Sequence, residues 1–272
     1  MNFEAFEDDW RGVIKKAQEA GVKKMIVVGT DLESSEKAIK IAEEVDGVFA
    51  TVGYHPHHAR GLSKVTEEIK DSLKKLARSK KVTAIGECGL DYHVYKNTKY
   101  EIKNTGAEWE KLKIKQKQLF GMQIQLALEL KLPMVIHNRE ADMDVLDTMD
   151  HFCKIDNEYP EGVFHCVSGS REYLKKILEM GFYVGVDGNV TYDEKVEKLV
   201  REISLEKLLI ETDSPYLMPN PLRKEKMNRG ERLRNEPISV RIIAEYLAKL
   251  KKVSLEKLKT STTKNAEVLF NI

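Results

Sequence analysis

Cysteine is scarce: the 272-residue chain holds only Cys88, Cys153 and Cys166. Their odd number and the absence of C-x-x-C spacing exclude a disulfide framework and point to reduced thiols in a cytoplasmic protein. No run reaches the roughly 18 apolar residues of a transmembrane helix. The acidic opening "MNFEAFEDDW" has neither the basic nor the apolar region of a secretory leader. A surplus of charge is missing too, since 45 Lys and Arg face 44 Asp and Glu, for a formal net charge of +1. Nucleic-acid binding would therefore have to come from local clustering rather than a global field. Hydrophobic residues make up 42% of the chain and charged ones 33%, enough to build a soluble core. We take residues 1–272 as a single domain, the size of an α/β barrel.

Short β-branched runs recur along the chain: "KMIVVGT" (24–30), "VFATVGY" (48–54), "KVTAIGE" (81–87), "LPMVIH" (132–137), "GVFHC" (162–166), "GFYVGV" (181–186) and "LLIETD" (208–213). They read as strands buried on both faces. Amphipathic stretches lie between them, among them "SSEKAIKIAEEV", "VTEEIKDSLKKLARS", "FGMQIQLALELK", "REYLKKILEM" and "YDEKVEKLVREI". Apolar spacing of three and four predicts helices, several with Ser, Thr or Asp at the N-cap. Strict alternation of strand and helix predicts a parallel sheet of the TIM (β/α)8 type. Only seven strands are recognisable, and the chain opens directly on a helix, "EAFEDDWRGVIKKAQEAG" (4–21), as if the first strand were missing.

In such folds ligands bind at the carboxyl ends of the strands. Those ends carry Thr30 and Asp31, His55 and His57, Glu87, His137, His165, Asp187 and Asn189, and Asp213. Glu87, His137, His165 and Asp213 form a mixed imidazole and carboxylate set suited to Mg²⁺, Mn²⁺ or Zn²⁺. A site of that kind supplies hydroxide near neutral pH and polarises a phosphoryl or carbonyl oxygen. Each histidine alone also fits a core imidazole bonded to a carbonyl. Asp91 stands beside Glu87, and Arg139 beside His137 either clamps a substrate phosphate or pairs with Glu140 or Asp142. Cys88 and Cys166 follow two of the ligands, so alternation turns them away into barrel packing, and neither is expected to act as a nucleophile. Two longer segments, 92–111 and 219–237, would lie over the same mouth. The second carries Arg223, Lys224, Lys226, Arg229, Arg232 and Arg234, either a phosphate-binding rim or a solvated loop of mixed charge.

The motifs "VGYHPHHA", "AIGECGLDYH", "QLALELKLPMVIHNREADMDVL", "GVFHCVSGS", "GFYVGVDGNVTYD", "LLIETDSPYL" and "RNEP" together resemble the TatD family of metal-dependent deoxyribonucleases, within the amidohydrolase-like TIM barrels. The resemblance runs almost the whole length of the chain. It implies a two-metal hydrolase of phosphodiester bonds, working on DNA from the 3′ end. By that resemblance Glu87 bridges the metals, His137 and His165 complete one shell, and Asp213 holds the other ion and orients or deprotonates the attacking water.

The family begins with a strand ending in H-x-H, whereas no histidine here precedes His55. The expectation is therefore that the first strand and its two ligands are absent, which leaves open one bound ion or two. The pair His55 and His57 follows a later strand and does not replace them. Pro56 sets a tight turn there, placing His55 on the substrate side of the mouth and His57 in a structural or solvent-facing position. Two other readings stay open: a metal-assisted ester or amide hydrolase such as an aminoacyl-tRNA deacylase, and an inactive paralogue that binds nucleic acid.

Overall fold

The computed structural model describes residues 1–95, 106–153 and 159–272. In chain order the elements are α1 (Trp10–Glu19), β1 (Met25–Val27), α2 (Leu32–Glu44), β2 (Val48–Val52), α3 (Glu67–Leu76), β3 (Val82–Asp91), α4 (Ala107–Leu130), β4 (Met134–Arg139) and α5 (Asp142–Cys153). There follow β5 (Gly162–Phe164), α6 (Arg171–Glu179), β6 (Tyr183–Val186), α7 (Glu194–Glu202), β7 (Leu208–Ile210), α8 (Leu222–Asn228), α9 (Val240–Lys251) and α10 (Leu255–Phe270). Each β-branched run holds one strand, and neighbours pair in parallel from β1 to β7. The result is a curled, seven-stranded parallel sheet wrapped by helices, in which β1 and β7 are the edges among the described residues. Asp31, Ser170, Asp193 and Ser254 cap α2, α6, α7 and α10 through their side chains, each contributing about 1 kcal/mol.

Three boundaries depart from the sequence reading. The opening helix is broken into a 3-10 turn at Glu4–Phe6 and α1, because Phe6 is fully buried and Asp9 is held by Arg234. Helix α4 begins inside the 92–111 segment and extends over 24 residues; residues 96–105 lie outside the described part. Strand β3 does not end at Glu87. Its register slips between Ile85 and Cys88, after which Cys88 to Asp91 pair with Ile136 to Arg139.

The sheet carries apolar side chains on both faces. Most, including Val52, Ile85, Leu90, Met134, Ile136 and Phe164, pack with the helices. A smaller inner layer of Ala84, Val135, Val163 and Leu209 meets Leu269 and Phe270 of α10. Burying a Val or Leu in that layer stabilises the fold by about 1.5–3 kcal/mol. Helix α10 also bonds the approaches to both sheet edges. Asn265 donates to the carbonyls of Leu205 (2.7 Å), ahead of β7, and of Leu208 (2.9 Å), its first residue. Lys24, ahead of β1, donates to Glu267 (2.7 Å) and the carbonyl of Ile272 (2.9 Å). Among the described residues no helix is long and apolar enough to cross a membrane.

Candidate metal centre

Alternation along the strands selects the side chains of the site. Val135 and Val163 belong to the inner layer, so His137 and His165, two residues on, face the same way. Leu209 sends Glu211 to that side by the same rule, whereas Asp213 lies beyond the end of β7, in a turn where a left-handed φ sets its direction. The slip in β3 re-aims Glu87 into the group.

Three imidazoles converge on one carboxylate oxygen. Oε1 of Glu87 lies 2.8 Å from Nε2 of His165, 3.0 Å from Nδ1 of His137 and 3.3 Å from Nε2 of His55. Nδ1 of His137 is 3.1 Å from Nε2 of His165. Ligand atoms of His55, Glu87 and His137 all fall within 4.8 Å of one another, a spacing that can hold a cation. His55 is 8% exposed and its Nδ1 accepts from the backbone of His57 (3.1 Å), which turns Nε2 toward Glu87. His57 bonds Asp91 (2.7 Å) from the 3-10 turn Pro56–Arg60.

The electrostatics follow from packing these groups together. Burial alone would raise the Glu87 carboxyl, yet the His165 ring and the hydrogen bond to His137 hold it well below the usual carboxylate range. Burial pushes His55 down to about 4, keeping the ring neutral. His137 and His165 are buried too, but carboxylates reverse the effect and raise both, through Asp91 and Glu87 at His137 and through Glu87 and Glu211 at His165. Asp213 has a positive φ of 48° in the turn after β7. Burial raises its carboxyl to about 8, with Glu87, Asp187 and Glu211 adding to the rise against the pull of His165. Asp187 is fully buried, is raised to about 6 by burial and then Glu211, and leaves Oδ2 without a hydrogen bond. Such a crowd of inward carboxylates and imidazoles matches the donor set of a cation site.

Other candidates fall elsewhere. Arg139 is exposed, donates to the Tyr95 hydroxyl (2.8 Å) and stacks over that ring at 5.1 Å. Glu140 pairs instead with His93 (2.6 Å) and Asp142 accepts from Asn138 (2.8 Å). Cys88 is buried among the outer apolar side chains, as alternation requires. Cys166 is not: its left-handed φ of 48° breaks the alternation and sets the thiol 3.7 Å from Asn189 Nδ2. Burial pushes both thiols well above their ordinary value.

The basic segment 219–237 is divided. Arg229 pairs with Glu231, Arg223 lies over Tyr192, and Arg234 turns away to Asp9 and Glu236. Asn235 fixes the turn after β7 by donating to the carbonyl of Thr212 (2.7 Å).

Glu211 is a candidate the sequence reading omitted. It accepts from the backbone N–H of Cys166 (2.5 Å) and lies 3.5 Å from Nδ1 of His165. Alternation from Leu209 marks it.

Residues 1–271 match the family model described as TatD related DNase. The chain is 37% identical over 275 residues to the "Uncharacterized metal-dependent hydrolase YabD" of Bacillus subtilis, spanning 100% of this chain and 96% of that one. It is 36% identical to the "3'-5' ssDNA/RNA exonuclease TatD" of Pantoea ananatis, over 98% of this chain and 95% of the relative. Among solved structures it shares the fold of the TatD homologue YJJV of Escherichia coli, with a TM-score of 0.82 at 24% identity over 100% of this chain and 95% of that one. The chain belongs to the TatD related DNase family.

Proposed function

We propose that this chain, as one barrel domain over residues 1–272, is a divalent-metal-dependent phosphodiesterase that degrades DNA from the 3′ end. The observation that carries the reading is the convergence of His55, His137 and His165 on a single oxygen of Glu87, at 3.3, 3.0 and 2.8 Å. The exonuclease name of the Pantoea relative and the name "Deoxyribonuclease Tat-D" of a Schizosaccharomyces pombe relative, 32% identical, support the substrate class.

The proposed ligands are Glu87, His137, His165 and Asp213, which suit Mg²⁺, Mn²⁺ or Zn²⁺ by their mixture of nitrogen and oxygen donors. A bound divalent ion supplies Lewis acidity and lowers the pKa of water at the site. Asp213 is the catalytic residue, orienting the attacking water or taking its proton from the β7 side. His55 stays neutral at the β2 side and offers Nε2 to the centre or to a substrate oxygen. Arg139, at the end of β4, presents a guanidinium to the phosphate. The three unpaired thiols fit a reducing, cytoplasmic setting.

The test is cleavage of 3′-labelled single-stranded DNA with Mn²⁺ or Mg²⁺ against a chelator control. His137→Ala and His165→Ala should each abolish metal-dependent turnover. Unchanged turnover in both variants would overturn the reading.

A further inference from the structure

Asp91 is the most heavily bonded carboxylate beside the centre. It is 2% exposed, and its backbone is clamped by Gln116, which accepts from the Asp91 N–H and donates to its carbonyl, both at 3.0 Å. Oδ1 accepts from the backbone N–H of His93 (2.9 Å). Oδ2 accepts from the Tyr95 hydroxyl (2.7 Å) and from Nε2 of His57 (2.7 Å). A third donor at Oδ2 shares an oxygen that already accepts two hydrogen bonds.

That donor is His137. Its Nε2 lies 3.4 Å from Oδ2 of Asp91 and is buried without a hydrogen bond to any described residue. The separation is long for a hydrogen bond, as contacts in ligand-free sites often are before they tighten. Nδ1 faces Glu87 (3.0 Å) and His165 (3.1 Å), the side a divalent ion would take, and a neutral ring that gave Nδ1 to such an ion would carry its proton on Nε2, toward Asp91.

We propose that Asp91 is a positioning residue: it fixes His137 as the Nε2–H tautomer and points the bare Nδ1 at the metal centre. The inference rests on the reading of Glu87, His137 and His165 as metal ligands. Partners of this kind raise ligand basicity, and losing one typically costs about 10- to 100-fold in metal affinity. The same carboxylate reaches the substrate side, because Arg139 donates to the Tyr95 hydroxyl (2.8 Å) that donates to Asp91.

The experiment titrates wild-type protein and Asp91→Asn with Mn²⁺ by calorimetry, with circular dichroism to check the fold. Expected is a folded variant that binds Mn²⁺ about 10- to 100-fold more weakly than wild type. Equal affinity in a folded variant overturns the inference. Absence of Mn²⁺ binding by wild type instead overturns the metal reading beneath it, and this inference with it. Should Asp91→Asn not fold, ¹⁵N spectroscopy of the histidine rings in Zn²⁺-loaded wild type decides, with the His137 signal assigned by its loss in His137→Gln. An Nε2–H tautomer bears the inference out, and an Nδ1–H tautomer overturns it.

Discussion

Gly185 and Glu211 are complementary across β6 and β7. A Cβ on Gly185 would lie 2.8 Å from Oε2 of Glu211, so the missing side chain is the space the carboxylate occupies. Gly185→Ala should push Glu211 off the Cys166 N–H and away from His165, at about 1–3 kcal/mol of stability for the overpacking. Thermal melts and Mn²⁺ titration check both effects. A variant with wild-type melting and metal affinity would show that Glu211 has slack to move.

Arg139→Ala should raise KM for DNA by about 10- to 100-fold, the worth of a charge-assisted hydrogen bond, while leaving Mn²⁺ affinity unchanged. Steady-state kinetics beside a metal titration separates the two. An unaltered KM would leave Arg139 as a partner of Tyr95 only.

Lys224, Lys226 and Arg232 form no ion pair among the described residues, unlike Arg229 and Arg234 in the same segment. Replacing all three with Ala should weaken binding to single strands and flatten its salt dependence by about 0.7 in log–log slope for each phosphate they neutralise. Affinity measured across a salt series reads the slope directly, and an unchanged slope would assign the segment to a solvated surface.

Arg234 anchors the acidic amino-terminal segment. It meets both oxygens of Asp9 (2.9 and 2.8 Å) and Glu236 (3.1 Å), and Lys16 joins Glu236 at 2.8 Å. The Arg234 bond holds Asp9 below its ordinary range; partial burial pushes Glu236 up, but Lys16 and Arg234 pull it further down. Depressed carboxyls stabilise fully above their unfolded values of about 3.9–4.3 and lose that contribution as pH falls through the folded ones. The melting temperature of Arg234→Ala should therefore lie below wild type at neutral pH, and the gap should narrow in acid to what the Ala5 carbonyl bond and the Phe6 stack contribute. A gap of the same size at neutral pH and below about pH 3 would contradict this origin.

The strands are legible in the sequence because each is a β-branched run buried on both faces. His137 and His165 are legible because they continue the inward alternation of Val135 and Val163. What escapes depends on neighbours the local sequence does not contain. The extension of β3 past Glu87 rests on pairing with β4, and the seat of Glu211 on the bare Gly185 of the adjacent strand. The approach of His55 to Glu87 needs the Pro56–Arg60 turn, which a spacing rule does not orient. Arg234 reads as part of a phosphate rim in its own segment because its partner, Asp9, lies 225 residues away.

The curl of the sheet is fastened by its own tail. Strands β1 and β7 do not bond to each other, yet both approaches are pinned to α10, through Lys24 on one side and Asn265 on the other. The last helix thus bridges the gap that the strands leave open, joining by side-chain bonds the two ends of a sheet that does not close on itself.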